Sequence, residues 1–254
     1  MHCKSFGIMV LGFSLILFHA AFVLPAQLSD MKVVPAYVEI GTFYSGQDIK
    51  VCGSVLQDQD VIVEVKGPDE RSIFKIKGRV GPFWMNREKV ELEHAPFLYI
   101  MVLPKGKKWG DNLSSFGVGI GELKQRLIIR GNTLSYDTVF DRFVQLKKSE
   151  HLYEKQDGGV VYSNEKNGRK YFETKFRFPP SAIPGEYHIV ATLVSDGKVE
   201  KRTSKSFRAE EVGFIKRVHE LAFHRALVYG ILCVVVALSV GALMGLFFRR
   251  ARAH

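Results

Sequence analysis

Cysteine is nearly absent from this chain. Its three cysteines are Cys3, Cys52 and Cys233, and only Cys52 lies in the polar middle of the sequence. One cysteine closes no internal disulfide, so that middle must be held by an apolar core. Cys52 stands in an alternating apolar stretch and reads as a buried, inert thiol. Concentrated charge of one sign is missing as well. The 36 Lys and Arg outnumber the 26 Asp and Glu, for a formal net charge of +10, but the two signs interleave along the chain. A nucleic-acid binder would gather its basic residues on one element, so the pattern argues against that class.

Recognisable catalytic constellations are also lacking. His94, His151, His188 and His219 have no His, Cys or helix-spaced carboxylate at a zinc-site spacing. There is no Gly-x-Ser-x-Gly turn and no glycine-rich phosphate loop with lysine. Gly117, Gly119 and Gly121 alternate with Val118 and Ile120, without the Gly-x-Gly-x-x-Gly spacing or a preceding strand, and read as a hinge or helix start. Glu88, Glu91 and Glu93 sit close together, but strand alternation explains them better than an acid/base pair. The sequence therefore names no catalytic residue, no cofactor-binding residue and no metal ligand. A noncatalytic protein is expected.

What the sequence does have is two apolar ends. Residues 226–248 form an uncharged run closed by Arg249, Arg250 and Arg252. As a helix this run reaches about 34 Å, enough for a hydrocarbon core of about 30 Å. Residues 6–24 form a second apolar run, preceded by Lys4 and followed by small residues including Ala26. That layout predicts a secretory signal, residues 1–26, cut after Ala26, or an anchor if it stays uncut. Basic residues flank the C-terminal run evenly, with Lys216, Arg217 and Arg225 before it, so charge alone does not orient it. The N-terminal signal breaks the tie. The expectation is a single-pass protein of a bacterial inner membrane, its bulk periplasmic and residues 249–254 a cytoplasmic basic tail.

The middle, residues 27–210, reads mainly as strands. Val61, Val63 and Val65 alternate with Ile62, Glu64 and Lys66, and Gly67-Pro68-Asp69 supplies a turn. Phe172, Thr174, Phe176 and Phe178 alternate with Tyr171, Glu173, Lys175 and Arg177. Pro184-Gly185-Glu186-Tyr187 leads into another strand, as where a tyrosine pins the corner of a sandwich. Leu123, Leu127 and Ile128, then Tyr136, Phe140, Phe143 and Val144, recur at helical spacing. Together these predict an Ig-like β-sandwich with a helical insertion at about 86–155; two small domains are the competing arrangement. Residues 211–225 carry Phe214, Ile215, Val218, Leu221 and Ala222 on one helical face and are expected to run into the span as one helix.

Three features suggest contact surfaces. Phe83 and Trp84 lie in turn-like sequence, either as a packed edge or as an exposed binding loop. Trp109 ends a basic-aromatic cluster with Lys105, Lys107 and Lys108 that reads as a solvated loop or a headgroup contact. Ala237, Gly241 and Gly245 repeat every four residues and would let a second helix approach, or are simply small residues of a membrane helix.

Several of these segments carry a family resemblance. Ile40-Gly41-Thr42-Phe43-Tyr44-Ser45-Gly46, Gly81-Pro82-Phe83-Trp84-Met85-Asn86, Pro96-Phe97-Leu98-Tyr99, Pro184-Gly185-Glu186-Tyr187, Val212-Gly213-Phe214 and Tyr229-Gly230 occur in this order. The chain resembles the alphaproteobacterial putative transmembrane protein family from about residue 33 to 248. Phe83 departs from the isoleucine-like residue expected before the tryptophan. The resemblance implies a membrane-anchored architecture and adds no mechanism. Composition and resemblance lead to one expectation: an accessory or interaction protein seated in the lipid bilayer. Its partner would be a membrane protein such as a transporter, or a second copy of itself through the transmembrane helix. The alternative is a membrane-anchored binding domain for a small ligand or a cell-envelope component.

Overall fold

The computed structural model describes residues 31–251, apart from 107, 108, 110, 111, 132–134 and 167. The expected signal segment and the tip of the basic tail, residues 252–254, lie outside the described residues.

The chain is mainly β. Its strands are β1 (Lys32–Val34), β2 (Tyr37–Ile40), β3 (Gln47–Leu56), β4 (Asp60–Lys66), β5 (Asp69–Val80), β6 (Phe83–Pro96), β7 (Tyr99–Pro104), β8 (Ile128–Arg130), β9 (Tyr153–Lys166), β10 (Arg169–Phe178), β11 (Gly185–Ser195) and β12 (Lys198–Glu211). Nine form one sheet in the order β1-β3-β10-β9-β7-β4-β11-β12-β2. Its two end strands are joined by only Pro35 and Ala36: β1 pairs antiparallel with β3, and β2 pairs parallel with β12. Proline cannot donate to a ladder, so the strand is interrupted there and continues against the opposite edge. The sheet is thereby rolled nearly into a barrel.

The inside of the roll is lined by one face of each strand. On β10, Phe172, Phe176 and Phe178 are buried, while Lys175 and Arg177 turn outward to Asp48. Phe178, Tyr187 and Phe207 meet at ring distances of 4.7 to 5.3 Å. Gly53 is required here: a Cβ would lie 2.7 Å from the Phe172 ring. At the turn into β11, the Tyr187 hydroxyl donates to the carbonyl of Ile183 at 2.8 Å, and burial raises its pKa.

β4 and β7 are buried on both faces, because a second layer covers the outside of the roll. That layer holds the sheet β5-β6-β8 and the helices α1 (Asn112–Ser115), α2 (Ile120–Arg126) and α3 (Tyr136–Ser149). α3 begins at Ser135, whose side chain caps the Thr138 amide, and it buries Val139, Phe140, Phe143 and Val144. Phe143 packs edge-on against Phe74 at 5.7 Å and Tyr153 at 5.6 Å. One hydrophobic cluster runs through both layers.

The expected helical stretch at 86–155 is narrower than its sequence suggested. Residues up to 96 belong to β6 and 99–104 to β7, and helices occupy only stretches between 112 and 149. Within β6, Val90 and Leu92 point inward and Glu91 and Glu93 point out, so a period of two prevails over a period of 3.6. Ile128 and Ile129 leave the helical pattern as well. β6 captures them as a third strand, with Ile128 opposite Glu93 and Ile129 opposite Leu92.

At the C-terminus, α4 (Gly213–His224) and α5 (Ala226–Ala251) are two helices, not the single one expected. Arg225 leaves the helical conformation, with φ −134° and ψ 51°. The two elements bury apolar surface differently. α4 is amphipathic, whereas α5 is apolar all round over Ala226–Gly245, with a mean hydropathy of 2.5 and none of it buried.

Candidate functional site

The hairpin β5–β6 stands out. Its base is fixed by ion pairs, Arg71 to Glu91 at 2.8 Å and Arg130 to Glu93 at 3.0 Å. Hydrogen bonds from Arg71 and then Lys89 hold the Glu91 carboxyl below its ordinary pKa. Phe74, Val90 and Leu92 anchor the same region beneath α3. Toward the tip, β5 and β6 pair with each other, and among the described residues with no further strand. There the turn at Gly81 and Pro82 presents Phe83, 67% exposed, and Met85, 54% exposed. Ile73 is exposed on the hairpin too. Trp84 lies in the same strand opposite Arg79, and its side chain is outside the described ones. Exposed aromatic and sulfur side chains beside Lys75 and Arg79 are suited to burying area against another surface.

Trp109 does not join this surface. It is buried, with its ring edge-on to Phe116 at 6.2 Å, so the basic-aromatic cluster ends in the core. The segment after it closes over a buried carboxylate that sequence reasoning did not single out. Glu64 accepts from the Tyr99 hydroxyl at 2.5 Å and from the Gly119 amide at 3.2 Å, with Lys66 at 3.6 Å. Burial, then the Glu64 charge, raises the pKa of Tyr99. Gly119 caps the start of α2 with φ 103°, so the glycine-spaced stretch is a helix start that also supplies a donor. A Glu in an otherwise valine-rich strand, β4, was the available signal for this network.

Two of the concavities that touch the second layer bear on function. One, of about 230 Å³, is apolar and runs between α3 and the hairpin, with Phe74, Leu92, Phe143 and Leu146 as walls and Lys75 and Arg142 at its rim. The other, of about 310 Å³, gathers Lys66, His94, Arg126 and His188 around Asp69. His94 lies 3.7 Å from Asp69 and adopts a left-handed backbone, φ 61°. Among the described residues, no three His, Cys, Asp or Glu are grouped to hold a metal ion. Cys52 is half-buried in β3 with a free thiol.

On α5, Ala237, Gly241 and Gly245 are all exposed, and the space beside both glycines is open. The Ser239 hydroxyl donates back to the Val235 carbonyl at 2.7 Å, which satisfies it inside an apolar helix.

Among the described residues, one helix, α5, is long and apolar enough to cross a membrane, and it follows a β domain, an arrangement that fits the class of membrane-anchored proteins. The comparison with protein families is specific: residues 17–250 match the family described as putative transmembrane protein (Alph_Pro_TM), and the chain belongs to it. No curated protein matches the chain.

Proposed function

We propose that the chain is a noncatalytic accessory protein of a bacterial inner membrane, with its β domain in the periplasm and its C-terminus in the cytoplasm. The observation that carries this reading is the hairpin tip, where Phe83 and Met85 are held out from the domain on a strand pair whose base is locked by Arg71, Arg130 and α3. A protein partner is the natural cover for such a tip. The domain reads as an Ig-like sandwich. The run β1-β3-β10-β9 follows the order A-B-E-D, and β7-β4-β11-β12 follows C′-C-F-G. Tyr187, bonded back to Ile183 at the entry to β11, supports it as a tyrosine corner. The face of Ala237, Gly241 and Gly245 would add a contact with a partner helix, of a transporter or of a second copy.

Affinity capture of the full chain from native membranes in mild detergent tests the reading. The expected result is a stoichiometric membrane partner that is lost when Phe83→Asp and Met85→Asp are combined. Recovery of the chain alone, from wild type and variant alike, refutes it. The apolar groove under α3, rimmed by Lys75 and Arg142, favours a second reading: a membrane-anchored binding domain for a small ligand or cell-envelope component with an apolar body and a negative end.

A further inference from the structure

The break at Arg225 separates two helices with different solvents. On α4, Phe214, Ile215, Val218, Leu221 and Ala222 fall on one arc at the spacing of a helical face. Lys216, Arg217, His219, Glu220 and His224 fall on the other, with Phe223 among them. Not one α4 residue is buried, and Phe214 is 70% exposed. A 12-residue helix is about 18 Å long, and its last residue is two positions from the first residue of α5. If α5 crosses a bilayer, α4 cannot be far from the headgroups. Ile215, Val218, Leu221 and Ala222 are half-buried and Phe214 is exposed, and the open part of this apolar arc then has one neighbour of matching chemistry, the acyl boundary of the same bilayer.

A hollow of about 450 Å³ lies at the elbow, walled by Arg217, Glu220, Leu221, His224 and Arg225. It sits where the polar arc of α4 meets the apolar one, so a bound group would have its charge beside guanidinium groups and its apolar part beside Leu221. The two arginines face a single carboxylate there, since the other nearby acid, Glu211, is paired with His219 at 3.1 Å. Guanidinium groups bind phosphate bidentately.

We propose that α4 lies in the membrane interface, its apolar arc in the acyl boundary, and that the elbow between α4 and α5 holds the phosphate of an anionic phospholipid. The inference rests on α5 crossing the bilayer. The domain is then not free to swing on a straight stalk. It stands on a helix laid flat along the membrane surface, steered by lipid charge.

The test uses the full chain in nanodiscs of phosphatidylcholine with phosphatidylglycerol. Tryptophan reporters are placed at Leu221, Lys216 and Val236, and their emission is compared with that of the parent protein. Lipids brominated near the headgroup should quench Leu221→Trp and spare Lys216→Trp, while lipids brominated deep in the chain should quench Val236→Trp. If Val236→Trp is quenched but Leu221→Trp is as bright as Lys216→Trp, the interfacial helix is refuted and the span stands. If Val236→Trp is unquenched, both fail. Native mass spectrometry should find phosphatidylglycerol retained by the wild type. Arg217→Glu with Arg225→Glu should weaken retention by roughly thirtyfold, from about fivefold for each basic residue lost. Equal retention by wild type and variant refutes the headgroup site.

Discussion

Phe172, Phe176 and Phe178 on β10 are each at most 1% exposed, whereas Ile73, Phe83 and Met85 on the hairpin are 50 to 67% exposed. Both segments are strands, and both owe their pairing to the same ladder physics. They differ in what lies above the pleat. β10 has a neighbour on either side, β3 and β9, and the roll closes over its inner face. Among its described side chains, the hairpin is covered at its base, where Phe74, Val90 and Leu92 lie beneath α3. A large apolar residue in the first region holds the fold together. The same residue type in the second contributes little to the fold and is available for something else.

The contrast should be sharpest in alkali. Burial raises the pKa of Tyr99, Tyr153 and Tyr187 above the ordinary phenol value of 10.0, and all three lie in or against the roll. In the unfolded chain these phenols ionise near that value, and in the folded chain they stay protonated. Their contribution to stability is therefore fully present below pH 10 and is lost as pH rises above it. The hairpin carries no tyrosine. Circular dichroism against pH should show the β signal holding up to that point and then collapsing together with the phenolate absorbance. A collapse that precedes the absorbance change would break the link.

Phe178→Ala comes next. It removes a fully buried ring packed on Tyr187 and Phe207, and should cost about 3–5 kcal/mol in denaturant unfolding. Glu64→Ala leaves the Tyr99 hydroxyl and the Gly119 amide without their acceptor, and should cost about 1–3 kcal/mol. At the bottom of the scale, Phe83→Ala should stay within about 0.5 kcal/mol of wild type. If Phe83→Ala cost as much as Phe178→Ala, the hairpin tip would be part of the fold and the distinction between the two regions would fall.

How much could be read from the chain depended on which interactions decided each element. β10 was legible because its alternation is set locally by one buried face, and β4 because its β-branched run is bounded by the Gly67-Pro68 turn, although both of its faces are buried. Tyr187 was legible because its turn is local too. The order of the sheet was not, since the parallel pairing of Tyr99 with Tyr153 joins strands separated by three helices and carries no short-range mark. The helical stretch was overextended because Leu123, Leu127 and Ile128 satisfy a helical spacing until β6 claims Ile128 and its neighbour Ile129. Trp109 misled for a related reason: neighbouring lysines gave it a polar context, while Phe116 and the rest of the core decided its burial. The break at Arg225 has no proline or glycine to announce it.

The pairing of β12 with β2 and β11 has a mechanical side. β12 leads through Val212 into α4 and so toward the membrane helix, and tension between the hairpin and the bilayer would pass along its axis. The hydrogen bonds to β11 and to Tyr37–Ile40 of β2 run across that axis. A load applied this way stretches them all in shear, so they must give way together; they cannot peel off one at a time. The strand that joins the domain to its anchor is thus gripped from both sides, and a tug from a partner would be carried to the bilayer before it opened the domain.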